Sequence, residues 1–130
     1  MRDASHPQRR EFLRVSVQIR TEVTVRGTTH REGTLENLSL KGGFFRTAAA
    51  LAEGEACDVR LHLNGTDAEI HARGRIVRSG PAGSAIQFTE IVGIDSLEHL
   101  RNIILFNSHD PARVQREFDA HVGLRKGEEG

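Results

Sequence analysis

Val15, Val17, Ile19, Val23 and Val25 alternate with polar residues, and only Thr21 interrupts the apolar set. A two-residue period places these side chains on one face of a long β-strand. The period returns at Cys57, Val59, Leu61 and Leu63, and again at Ala68, Ile70, Ala72, Gly74 and Ile76. Asn64-Gly65 between those two runs is a hairpin signal, because a two-residue loop that fits strand twist needs positive φ at both positions. Gly27-Thr28-Thr29-His30 reads as a turn, residues 33–39 as a second strand, and Phe44-Phe45 as the opening of a third. Gly80-Pro81-Ala82-Gly83 turns the chain into a last strand carrying Ile86 and Phe88. The pattern predicts a mainly β protein, a six-stranded antiparallel barrel, since closure removes exposed strand edges.

The period lengthens after Gly93. Ile94, Leu97, Leu100 and Ile104 recur at helical spacing, and Asp95 with Glu98 predicts a capping box at the start. This helix is expected to plug or flank one mouth of the barrel. Asp110-Pro111 then predicts an N-cap with proline in the first helical position, followed by Val114, Phe118 and Val122 on one face and a stop at Gly123. The divisions that follow are a flexible arm over 1–8, a barrel with its helix over 9–107, a helical extension over 108–123 and a charged tail over 124–130.

A chain of 130 residues can bury one core but not two. Its formal net charge is zero, which gives no bulk attraction to a long polyanion and argues against DNA as a partner. The distribution is uneven: residues 1–31 carry seven Arg against three acidic side chains. A locally positive N-terminal segment suits a small anionic ligand. Cys57 is the single cysteine, so no intrachain disulfide forms, and its strand position reads as core. Ala48–Ala52 and Ile103–Phe106 fall far short of the ~20 apolar residues a spanning helix needs. The polar start does not resemble a signal peptide, so the sequence predicts a soluble, cytoplasmic chain without membrane insertion. His62 and His71 fall on the polar faces of adjoining strands and read as a solvated pair, not a metal site. No carboxylate pair, nucleophile elbow or phosphate-binding helix motif marks an enzyme, and no catalytic residue, metal or cofactor is predicted.

Two short stretches carry recognition chemistry instead. Arg9-Arg10-Glu11-Phe12-Leu13-Arg14 places guanidinium groups just before the first strand. Such forks match phosphate oxygens and the O6/N7 edge of guanine bidentately. Asn37-Leu38-Ser39-Leu40-Lys41-Gly42-Gly43 places an amide, a hydroxyl and a glycine pair at a turn. Glycine lets backbone N–H groups approach an anion with no Cβ in the way. An Arg-x-x-x-Arg spacing alone arises by chance about once or twice in such a chain, and the second pattern in roughly one chain in twenty. Their occurrence together, in this order, is the signal.

At these residues the chain resembles the PilZ domain family, whose members bind the bacterial second messenger cyclic di-GMP. Arg10 and Arg14 match the family's Arg-x-x-x-Arg, and Arg9 is the further Arg often found before it. Asn37, Ser39 and Gly42 match its Asp/Asn-x-Ser-x-x-Gly, with Asn37 standing where many members have Asp. Gly74-Arg75-Ile76-Val77-Arg78 and Ser84-Ala85-Ile86-Gln87-Phe88 look like its later strands, so the likeness covers about residues 8–107. The resemblance implies that Arg10 and Arg14 swing onto the barrel, clamp phosphates and the Hoogsteen edge of guanine, and stack on the bases, with Arg9 a further ligand-binding residue. It implies that Ser39 donates to the ligand, that Asn37 accepts from guanine N1–H and N2–H, and that Gly42 and Gly43 permit close approach. Arg9 further implies a stacked ligand dimer. No bond is broken in such a site, so the output is conformational and passes to a downstream protein partner.

Blander readings stand beside this one. In these the arginines are ordinary solvated charges, and Asn37-x-Ser39 is a turn held by local side chain–backbone bonds. Two other functions compete: a degenerate relative that binds only protein, and a small barrel that binds single-stranded nucleic acid. The second wants aromatic stacking platforms, and the chain has no Trp or Tyr. The run Ile103–Phe106 offers a face for a homodimer, for a partner, or for the barrel itself.

Overall fold

The computed structural model describes residues 12–63 and 65–129, with side chains as far as residue 120. Among the described residues, seven strands are followed by two helices: β1 Val15–Val25, β2 Thr28–His30, β3 Thr34–Ser39, β4 Gly42–Arg46, β5 Ala56–His62, β6 Glu69–Gly80, β7 Gly83–Ile91, α1 Ile94–Phe106 and α2 Pro111–Glu129. The sheet runs β2-β1-β3-β4-β7-β6-β5, all antiparallel, and β5 returns to pair with β1. The first half of β1 pairs with β3, and Arg20–Thr24 pairs with Asp58–His62 of β5. Six strands therefore close into the expected barrel.

The seventh strand is the short β2, where the sequence suggested only a turn. Arg26 and Gly27 take φ of 54° and 82°. Positive φ at both central positions gives a two-residue hairpin whose twist matches its strands. That frees Thr28–His30 to pair with Val23–Val25, and the Thr24 and Thr29 hydroxyls meet at 2.8 Å.

Alternation fills the barrel as its period requires. Phe45, Leu35, Leu61, Ile70 and Ile76 are fully buried inside it. Thr21, the polar interruption of β1, is also fully buried, and its hydroxyl donates to Ile19 O at 2.8 Å. That local bond removes the cost of an unpaired buried hydroxyl. Cys57 is in the core, where burial and then the neighbouring Asp58 carboxylate push its thiol up to about 11.

The helices differ from expectation at their ends. The N-cap of α1 is Gly93, with φ 89° and ψ 153° and no side-chain cap, so the predicted capping box is absent. The chain leaves β7 through a conformation that favours glycine, which moves the helix start to Ile94 and Asp95 into the first turn. Ser96, Leu100 and Ile104 form the buried face, while Ile94 is 72% exposed. Ser96 Oγ accepts the His71 N–H at 2.9 Å, joining α1 to β6. At α2, Asp110 Oδ1 accepts the Arg113 N–H at 3.2 Å, as an N-cap does, and Val114 is buried. The helix does not stop at Gly123 but runs to Glu129. Glycine inside a helix costs only about 1 kcal/mol. The side chain of Val122 and the predicted arm over 1–8 lie outside the described residues.

Candidate functional site

β3 and β4 place the second motif. Their hairpin turn is Leu40-Lys41, so the glycine pair opens β4 and does not form the turn. Ser39 is 4% exposed; its Oγ accepts the Lys41 N–H at 3.1 Å and donates to Gly42 O at 3.5 Å. These bonds hold the turn locally. Gly42 has φ +148°, and a Cβ there would collide with Ile86 O on β7. A Cβ on Gly43 would strike Asn37 O on β3. The glycines are therefore required by the approach of three strands, and both are buried in that packing.

Of the first motif, Arg14 lies beside this hairpin. Arg14 Nη1 donates to Asn37 Oδ1 at 3.2 Å, so one residue of each motif is in direct contact. The segment carrying Arg14 is tied to α2, because the Leu13 N–H donates to both carboxylate oxygens of Glu117 at 3.0 and 3.2 Å. Glu117 is held in turn by Arg113 Nε at 2.8 Å. Arg9 and Arg10 lie outside the described residues.

A cleft of about 980 Å³ opens where these groups meet, and Arg14, Asn37, Ser39, Gly42 and Gly43 all line it. That volume is at the upper end of the ~300–1,000 Å³ of ligand sites. Lys41, Phe44, Val77, Arg78 and Gln87 line it as well. Sequence reasoning missed these five. Phe44 and Gln87 follow from strand pairing alone, since Phe44 stands opposite Asn37 and Gln87 opposite Gly42.

The two histidines do not form a solvated pair. His71 Nε2 lies 2.6 Å from Asp58 Oδ1, and His62 Nε2 lies 3.4 Å from Glu22 Oε2. The register explains this: Arg60 is opposite His71, and Glu69 is opposite His62.

The sequence profile of the PilZ domain matches residues 8–106. The chain belongs to the PilZ domain family. Among solved structures, the inhibitor of motility MotI/DgrA of Bacillus subtilis aligns over 75% of this chain with a TM-score of 0.62 and 18% identity. This PilZ chain spans half the length of that protein. The PilZ domain of CeSA from a cellulose-synthesizing bacterium aligns over 73% of this chain and 94% of its own, with 26% identity and a TM-score of 0.51. No curated protein sequence matches. PilZ domains are generally cyclic di-GMP receptors, regulatory binding domains and not enzymes. Among the described residues, no helix is long and apolar enough to cross a membrane.

Proposed function

We propose that this PilZ domain is a cyclic di-GMP receptor that signals to a protein partner by conformational change. The observation that carries the reading is the contact of Arg14 with Asn37 over a cleft floored by glycine backbone. Arg14 offers a cationic fork at the rim, Asn37 an amide that can pair with a guanine edge, and Gly42-Gly43 a part of the lining without side chains. Arg9 and Arg10, which precede Arg14 in the motif, supply further guanidinium groups, and Arg9 favours a stacked ligand dimer.

Magnitudes require the motifs to act together. A micromolar complex needs about −8 kcal/mol net, over a rigid-body cost of at least ~4 kcal/mol. Charge-assisted hydrogen bonds contribute about 1.5–3 kcal/mol each, so one arginine is insufficient and about five such contacts suffice.

The output follows from the tie to α2. A ligand that pulls on Arg14 also loads the Leu13–Glu117 bonds one residue away, so α2 or its packing on α1 is the element offered to the partner. Calorimetric titration with cyclic di-GMP, with GMP and GTP as controls, tests the reading. Saturable binding of the cyclic dinucleotide alone, micromolar or tighter, is the expected result. Absence of heat at millimolar ligand, or equal binding of GMP, overturns it.

A further inference from the structure

The cleft has a second cationic wall that neither motif contains. Strand β6 holds it. Ile70, Ala72, Gly74 and Ile76 point inward at every second position, so simple alternation would turn Arg78 into the core. The register with β7 slips instead: Ile76 pairs with Ile86, but Arg78 pairs with Ala85, leaving Val77 as the extra residue of a bulge. Val77 and Arg78 consequently both face out, and both line the cleft. Bulges re-aim side chains and are over-represented beside functional sites.

The pairing fixes where Arg78 stands. Asn37 pairs with Phe44, Phe44 with Ala85, and Ala85 with Arg78, so these four side chains form one lateral row on the outer face. At about 4.8 Å per strand the row measures roughly 14 Å from Asn37 to Arg78. Arg14 sits at the Asn37 end. Most other arginines near the barrel surface are engaged, for example Arg46 with Glu36, Arg73 with Glu90 and Arg75 with Gly54 O. Arg78 has no hydrogen bond or ion pair with any described residue.

Resting on the receptor reading above, we propose that Arg78 is a ligand-binding residue, receiving the acceptor oxygens of the ligand's second nucleotide half. Cationic residues at the two ends of this row suit a molecule with two separated acceptor groups. The half-buried Phe44 and the exposed Val77 give the apolar ground between them, on which a base can lie.

The test is calorimetric titration of the full chain and of Arg78→Ala and Arg78→Lys with cyclic di-GMP, beside thermal melts. Loss of one charge-assisted contact predicts a Kd about 10- to 100-fold weaker for Arg78→Ala. Arg78→Lys should recover part of it, and the melting temperature should barely move, since the side chain makes no hydrogen bond or ion pair with a described residue. Binding by the unaltered protein that is indifferent to Arg78→Ala overturns this inference alone. Failure of the unaltered protein to bind overturns the receptor reading and this inference with it.

Discussion

The backbone amide of Leu13 and the carboxylate of Glu117, 104 residues apart in the chain, are joined by two hydrogen bonds. Glu117 sits on α2, and its side chain is only 13% exposed. The last helix thereby sets the position of the strand-entry segment, and through it of Arg14 at the cleft. Replacing Glu117 by Ala leaves the Leu13 N–H and the Arg113 guanidinium without this acceptor. Hydrogen bonds to a charged group contribute about 1.5–3 kcal/mol. The expected outcome is a melting temperature lowered by about 5–10 °C, together with weaker cyclic di-GMP affinity because Arg14 is no longer pre-positioned. Melts and titration of the variant measure both, and an unchanged melt would show that the tie contributes nothing.

Arg14→Ala separates ligand binding from folding. Arg14 is exposed, and its only hydrogen bond to a described residue is with Asn37. An exposed bond of this kind contributes about 0.5–1.5 kcal/mol at most. The fold should therefore persist, with far-ultraviolet circular dichroism unchanged. The Kd for cyclic di-GMP should rise at least about tenfold, as one charge-assisted contact is lost. Undiminished affinity in a folded variant would remove Arg14 from the site.

What the chain revealed beforehand, and what it hid, divides along physical lines. Two-residue alternation is set by the strand itself, so the Val15–Val25 and Cys57–Ile76 patterns placed the barrel core correctly. The Asp110 cap was legible because its carboxylate meets a nearby amide in the chain. Three features were hidden. The start of α1 depends on the φ of Gly93, which no side chain announces. The glycine pair read as a turn because nothing local shows that Gly42 faces Ile86 O on a strand 44 residues away. Arg78 was hidden by the Val77 bulge, although a charged residue in phase with Ile70, Ala72 and Ile76 was the one available hint. Long-range approach, unlike period, is not written in neighbouring residues.

Gly42→Ala tests what the motif glycine is for. The φ of +148° is strained for any L side chain, and the new methyl group would meet the Ile86 carbonyl. Backbone strain of this type costs about 1–3 kcal/mol before the steric clash is added. The variant should lose stability markedly in urea, with or without ligand present. If it melts like the unaltered protein and only binding is lost, the glycine serves the ligand and not the β4–β7 pairing.

Cys57 makes a prediction about alkaline pH. Its thiol is raised from 9.0 to about 11 by burial, helped by Asp58. An unfolded chain therefore releases this proton at lower pH than the folded one. Below pH 9 both states hold the proton and the group exerts no pH dependence. Between pH 9 and 11 the unfolded state binds fewer protons, so stability falls as pH rises, by up to about 2–3 kcal/mol from this group. Cys57→Ala should flatten that part of the profile. Denaturant melts of both proteins at pH 8, 9.5 and 11 compare the slopes. Parallel decline in the two would show that the thiol is not the group responsible. The same protonation keeps the native thiol slow toward a disulfide reagent at pH 8, with rapid reaction only after unfolding.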